Sequence, residues 1–240
     1  MRNFDFFEFT SVLVPGTVSL FGLSRFFPSA WSRAFGAEFN VGEFGLFVIL
    51  AYVTGQLVQV IGHHVEKLLW LPKRGLPTDS VRHKLPEPKP GKMKERGLLD
   101  PQQLKLLAVK IRETLKLVIV EDDLTKFEGN WYAITRQIYA AVRRGGLHER
   151  VDLFNAHYNM FRGMLVSFTF LLLPWGLIRF GVLGHWQPLY GPALGVILGS
   201  MVCSYLGLLG YGNLYGRELF VQFLELKPDD KKAASPTEKD

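Results

Sequence analysis

Four long apolar stretches, two on either side of a basic middle, constrain this 240-residue chain more than any other feature. They cover residues 7–27, 45–65, 164–183 and 189–211, each about the twenty residues a helix needs to cross the hydrocarbon core of a bilayer. Residues 164–174 (MLVSFTFLLLP) carry no charge, and neither do residues 193–212. Backbone groups in hydrocarbon must be satisfied within the segment, which leaves helices for spans of this length. The expected fold is all-α: a polytopic membrane protein with four transmembrane helices and a helical, basic cytoplasmic domain between spans 2 and 3. Its divisions are a first transmembrane hairpin (1–70), the basic domain (71–160), a second hairpin with a helical extension (161–226) and a disordered polar tail (227–240).

Charge gives this layout a direction. Of the 28 Lys and Arg residues, 19 fall between Lys67 and Arg162. The loops joining spans 1 to 2 and 3 to 4 hold only Arg25 and Arg33, and Arg179. Positive-inside bias therefore predicts that the middle domain and both termini are cytoplasmic. Asp5 and Glu8, with no small-residue cleavage site after the first apolar run, mark span 1 as retained rather than as a cleaved signal. Cys203, the single cysteine, lies within the last span, so a disulfide framework or a Cys-rich zinc site is excluded.

The spans differ in detail. Span 1 contains Pro15-Gly16 among Thr10, Ser11, Thr17 and Ser19, which predicts either an ordinary kinked span, whose freed carbonyl finds a donor on a hydroxyl or a neighbouring helix, or a hinge. In span 2, Tyr52, Gln56, Gln59, His63 and Glu66 recur at steps of four, three, four and three and share one helix face. Polar groups there must meet protein or water. They are candidate pore-lining residues, or a row of interhelical hydrogen bonds. His63 and His64 point to different faces and do not form a metal pair. Span 4 carries Gly191, Gly195, Gly199, Cys203 and Gly207 every four residues, the spacing that lets helix backbones approach, within the chain or between copies. Residues 213–226 prolong it as an amphipathic helix, and residues 147–163 lead into span 3 as another.

In the middle domain, residues 73–97 are rich in Pro and Lys and read as an extended linker. Asp100-Pro101 matches a cap followed by a first-turn proline. Leu104, Leu107, Ile111, Leu115 and Val118 give the following helix its apolar face. A second helix over 130–144 turns Trp131, Ile134, Ile138 and Ala141 inward, and Gly145-Gly146 stops it. No phosphate-cradling glycine loop, nucleophile elbow or metalloprotease histidine pair is present, so no catalytic residue, metal or cofactor is expected. The acidic group Glu121, Asp122, Asp123 and Glu128 reads as a helix-start signal. Arg136, Arg143, Arg144 and Arg150 gather around the glycine break and are candidate phosphate ligands. Trp70, Trp131, Tyr132, Tyr139 and Tyr158, interleaved with the cations, either stack bases or pack the domain's core.

Three segments carry a resemblance: Phe6-Phe7-Glu8-Phe9 with Pro15-Gly16; Tyr52-x-x-Gly55-Gln56-Leu57; and Phe154-Asn155-Ala156-His157-Tyr158-x-x-Phe161-Arg162. Together with the four-span layout they resemble small bacterial membrane proteins found beside nucleotidyltransferases in phage-defence operons. These are the channel effector of the Hailong system and the membrane effectors of CBASS. The resemblance implies a homo-oligomeric inner-membrane channel, a tetramer by preference, controlled by a nucleotide product of a partner nucleotidyltransferase. That product would be a single-stranded oligodeoxyadenylate holding the channel shut in the Hailong type, or a cyclic nucleotide. A membrane anchor or scaffold that recruits a soluble partner without conducting is the alternative. An enzyme acting on lipid is the third reading.

Overall fold

The computed structural model describes residues 6–35, 40–70, 75–82, 98–116, 123–127, 129–181 and 190–226. Among the described residues, seven α-helices follow one another: α1 (Phe6–Phe26), α2 (Pro28–Ala34), α3 (Val41–Leu69), α4 (Pro101–Leu115), α5 (Trp131–Arg144), α6 (Glu149–Arg179) and α7 (Tyr190–Glu225). No strand occurs among the described residues. Four helices, α1, α3, α6 and α7, are long and apolar enough to cross a membrane.

The chain forms two compact units, 1–75 with 152–215 and 76–151 with 216–240. The helical extension after span 4 therefore belongs with the middle of the chain, where the sequence placed it with the second hairpin. Residues 152–160 belong with the spans. Both shifts have one cause: α6 and α7 run on without a break past the ends of their apolar segments, and their polar ends pack locally. The tail lies outside the described residues.

In the first unit, α1 and α3 cross at glycine. A Cβ on Gly16 would overlap the Ala51 carbonyl and come within 2.7 Å of the Gly55 nitrogen, and one on Gly55 would overlap the Val12 carbonyl. The face of α3 turned inward is Ala51, Gly55, Val58 and Gly62, at steps of four, three and four. Asn40 and Glu43 close a capping box at the start of this helix, which satisfies two of its orphan donors. Toward the other end of α1 the unit has an apolar core of Phe26, Leu171, Ile178 and Ile197, with Leu23, Phe168, Leu172, Trp175 and Met201 against it. Trp31, Phe35 and Phe47 pack together beside α2, with Trp31 and Phe35 ring centroids 4.4 Å apart.

The second unit follows its sequence pattern closely. Asp100 caps α4 with both parts of a capping box and Pro101 occupies the first turn. Asn130 caps α5, and Trp131, Ile134, Ile138 and Ala141 are buried. Leu107 and Ile111 of α4, Ile138 and Val142 of α5, and Leu219, Phe220 and Phe223 of α7 are fully buried. Lys110 Nζ donates to the carbonyls of Leu224, at 2.6 Å, and Leu226, a cation at a helix C-terminus where the backbone carries partial negative charge. Burial lowers the Lys110 pKa, with Glu113 opposing. The expected extended linker departs from its pattern at Pro77–Arg82, a 3-10 helix held at its start by Leu76 N donating to Asp79 Oδ2; residues 83–97 lie outside the described residues.

These contacts rank glycines differently from their spacing. Gly55→Ala should lower stability by about 2 kcal/mol, because backbone cannot move aside as a side chain can. Gly195→Ala and Gly199→Ala, where an added Cβ meets nothing within 4 Å, should instead raise the stability of the isolated subunit, by up to about 1 kcal/mol each. Thermal unfolding of the three variants in detergent, under monomeric conditions, checks this order.

Candidate functional site

Pro15 has no N–H, so the carbonyl four residues earlier, on Ser11, cannot receive its usual helical hydrogen bond. The donor comes from α3: Gln59 Nε2 lies 2.9 Å from Ser11 O. The same amide donates to Asn159 O of α6, also at 2.9 Å. Its Oε1 accepts from Arg162 Nη2 at 3.1 Å. One side chain thus ties α1, α3 and α6 together with both donors and its acceptor in use. A second bond crosses at the same proline, from Ser167 Oγ to Pro15 O at 2.9 Å.

Arg162 leads from this clasp to a buried ion pair. It is 8 % exposed, with Nη1 3.1 Å from Glu66 Oε2. The other oxygen of Glu66 accepts from the Tyr158 hydroxyl, which itself accepts from Trp70 Nε1 at 2.9 Å. The Arg162 guanidinium carbon sits 5.8 Å from the Tyr158 ring centroid. His63 Nδ1 approaches Glu66 Oε2 to 3.5 Å from the open side, its side chain 70 % exposed. Glycines make the room: a Cβ on Gly163 would come within 2.7 Å of Pro15 Cγ and 2.9 Å of Gln59 Nε2, and one on Gly62 within 3.2 Å of Arg162 Nε. Arg162 Nε is buried without a hydrogen-bond partner.

The stripe on α3 therefore divides. Gln59 and Glu66 are partly buried and engaged by α1 and α6. Tyr52, Gln56 and His63 are exposed. Gln56 Nε2 donates to Tyr52 Oη at 2.9 Å on the same helix, and the Tyr52 ring stacks on Phe9 at 5.6 Å. At 100° per residue, Gln59 and Glu66 lie on average about 50° nearer the Gly55–Gly62 seam than the other three. A face defined by spacing alone is too broad to separate these two edges.

The span-4 ladder divides too. Gly191, Gly195, Gly199 and Cys203 are exposed, and a Cβ on any of these three glycines would meet nothing within 4 Å. Gly207 alone of the series abuts another helix, facing the Phe161 ring. Phe161 and His157 stack on Tyr211 of the same neighbourhood, at 5.3 and 4.9 Å.

In the second unit, Arg136, Arg143 and Arg144 are exposed along α5, and Arg136 leans over Tyr132 with 6.0 Å to the ring centroid. Arg150, also exposed, differs from them in being paired with Glu218 at 3.3 Å. Of the interleaved aromatics, Trp70, Trp131 and Tyr158 are buried; Trp131 donates to Thr78 O at 2.8 Å. Tyr132, 58 % exposed, is the ring left open to a ligand beside the cations. Asp123 of the acidic group caps the short helix Leu124–Lys126, while Glu121, Asp122 and Glu128 lie outside the described residues. No cluster of three His, Cys, Asp or Glu suited to a metal gathers among the described residues.

Sequence reasoning missed Arg162, Tyr158, Trp70 and the glycines 62 and 163 as one assembly. The available signal was a charge of each sign, Glu66 and Arg162, at the same ends of spans 2 and 3. Comparison with protein-family models, curated proteins and solved structures finds no match to this chain.

Removing one partner of a buried pair leaves the other charge uncompensated and costs roughly 3–5 kcal/mol. Arg162→Leu should therefore unfold the first unit at markedly lower temperature. Arg150→Ala, which breaks a pair with an exposed member, should cost less than about 1 kcal/mol. Differential scanning of both variants in the same detergent makes the comparison.

Proposed function

We propose that this chain is one subunit of a homo-oligomeric channel in a bacterial inner membrane, acting in phage defence, with its second unit cytoplasmic and controlled by a bound nucleotide or short oligonucleotide. The observation that carries the channel reading is Gln56. It sits midway along α3, exposed, with its hydrogen bond directed to Tyr52 of its own helix. An amide on a lipid-facing surface at mid-span is costly, and a water-filled axis between copies removes that cost. Tyr52 and His63 on the same edge would line the axis with it, and the exposed glycines of α7 offer a surface for close contact between copies. Control by a polyanion is supported by the three arginines and open tyrosine of α5. The setting in phage defence rests on the resemblance described above.

A second reading has an observation of its own. Gln59 and Glu66 are wholly engaged within one chain, so part of the stripe serves as internal glue, as in a non-conducting anchor or scaffold. Flux through the reconstituted oligomer separates the two. For the channel, Gln56→Leu should cut flux several-fold with little change in Tm, since its hydrogen-bond partner is an exposed hydroxyl. Wild-type protein that assembles as an oligomer yet passes no ion, with or without nucleotide, would leave the anchor.

Ligand control is tested separately. Short single-stranded DNA should bind with strong salt dependence, and Arg143→Glu with Arg144→Glu should abolish binding. Replacing both by Ala should reduce the log–log salt slope by about 1.4, two phosphates at about 0.7 each for a single strand. Arg150→Ala, already committed to Glu218, should change the slope least. Fluorescence titrations at several salt concentrations provide the slopes.

A further inference from the structure

The geometry points to a proline hinge in α1 that is clamped by Gln59 and set by the Glu66–Arg162 pair. The inference concerns the first unit alone and holds whether or not the protein conducts. Its elements are four. Pro15 leaves Ser11 O without its helical donor. Gln59 Nε2 supplies a substitute from another helix at 2.9 Å. Arg162 holds the amide oxygen of Gln59, which fixes which end of the side chain faces α1. Glu66 in turn holds Arg162, and Tyr158, itself held by Trp70, holds Glu66.

The order of these bonds makes the clamp switchable. An intact helix closes its own backbone ladder and needs nothing from outside. At Pro15 the ladder is completed by a side chain, and that side chain is oriented by an ion pair about two turns further along α3. When Glu66 is neutralised or drawn away, Arg162 loses its counter-charge and Gln59 loses the partner that orients it. Ser11 O then loses this donor, and the turn before Pro15 is tied less firmly to α3. Gly163, against Pro15 and Gln59, leaves the hinge no bulk to push aside. The groups facing Glu66 are His63 of its own helix and Arg162 and Tyr158 of α6; His63 is the largely exposed one among them.

Hydrogen exchange of the full-length protein in nanodiscs, read by mass spectrometry over α1, tests the hinge. Gln59→Leu should raise exchange around residues 9–20 by roughly tenfold, the effect of one lost bond to a buried carbonyl. Gln59→Glu keeps an acceptor for Arg162 but has no donor for Ser11 O, and should open α1 as leucine does. Glu66→Gln should give a smaller rise, about threefold. The deciding variant is Pro15→Ala, which returns an N–H to the Ser11 carbonyl. In that background Gln59→Leu should change α1 exchange by less than about twofold, a non-additivity expected only when two groups serve the same acceptor. An equal rise in both backgrounds would overturn the clamp. So would a rise of the same size in α5, which would mean general loosening, or an unchanged α1 in Glu66→Gln, which would remove the ion pair from the device.

Discussion

A backbone carbonyl that loses its helical donor among packed apolar helices must find another, and the first unit is organised around one such carbonyl. Ser11 O is served by Gln59, and serving it fixes the rest. Gln59 must reach α1, so α1 and α3 must cross closely. Gly16 and Gly55 permit that crossing because any Cβ there would strike backbone. Arg162 can meet the amide oxygen only because Gly62 and Gly163 leave room beside it. A guanidinium so deeply buried then requires a carboxylate, and Glu66 supplies it. Proline, amide, glycines and ion pair form a single dependency rather than four separate features.

The ion pair need not add to stability. Desolvating both charges costs several kcal/mol per ion, which their attraction repays only with good geometry and further hydrogen bonds. Both conditions are met for Glu66, whose two oxygens take Arg162 and Tyr158. Arg162 is less complete, with Nε unpartnered against Gly62. An apolar pair would pack there at lower cost. What the pair adds is direction: it decides which way Gln59 faces, and a hydrophobic contact could not do that.

The sequence made legible what repeats and hid what depends on a partner. The four long apolar helices, the cap at Asp100, the inward face of α5 and the stop at Gly145-Gly146 follow from local rules, and the structure has each of them. That the carbonyl freed by Pro15 takes a donor from elsewhere was also legible, but which donor was not, since Gln59 lies 48 residues away from Ser11. The four-residue ladder of α7 drew attention by its regularity, yet within the chain only its last member, Gly207, packs on another helix. Other glycines that carry helix contacts, among them 16, 22, 55, 62 and 163, are scattered over three helices and form a pattern only once these are side by side. Interleaving of cations and aromatics was equally ambiguous: periodicity buries Trp131 and leaves Tyr132 outside, a difference of one residue.

The features left on the outside are costly for a lone subunit in lipid. Gln56 presents an amide to its surroundings at mid-span. Gly191, Gly195 and Gly199 each lower helix stability by about 1 kcal/mol relative to alanine, and within the chain none of them gains a close contact in return. Lipid tails compensate neither cost: they offer the amide no partner, and they pack against leucine at least as well as against glycine. A neighbouring helix at short range compensates the glycines, through backbone contact their missing side chains allow. Water or a second polar chain compensates the amide. Two unrelated costs, on α3 and on α7, are thus relieved by the same event, the assembly of several copies. That coincidence supports the oligomeric proposal more strongly than either surface alone.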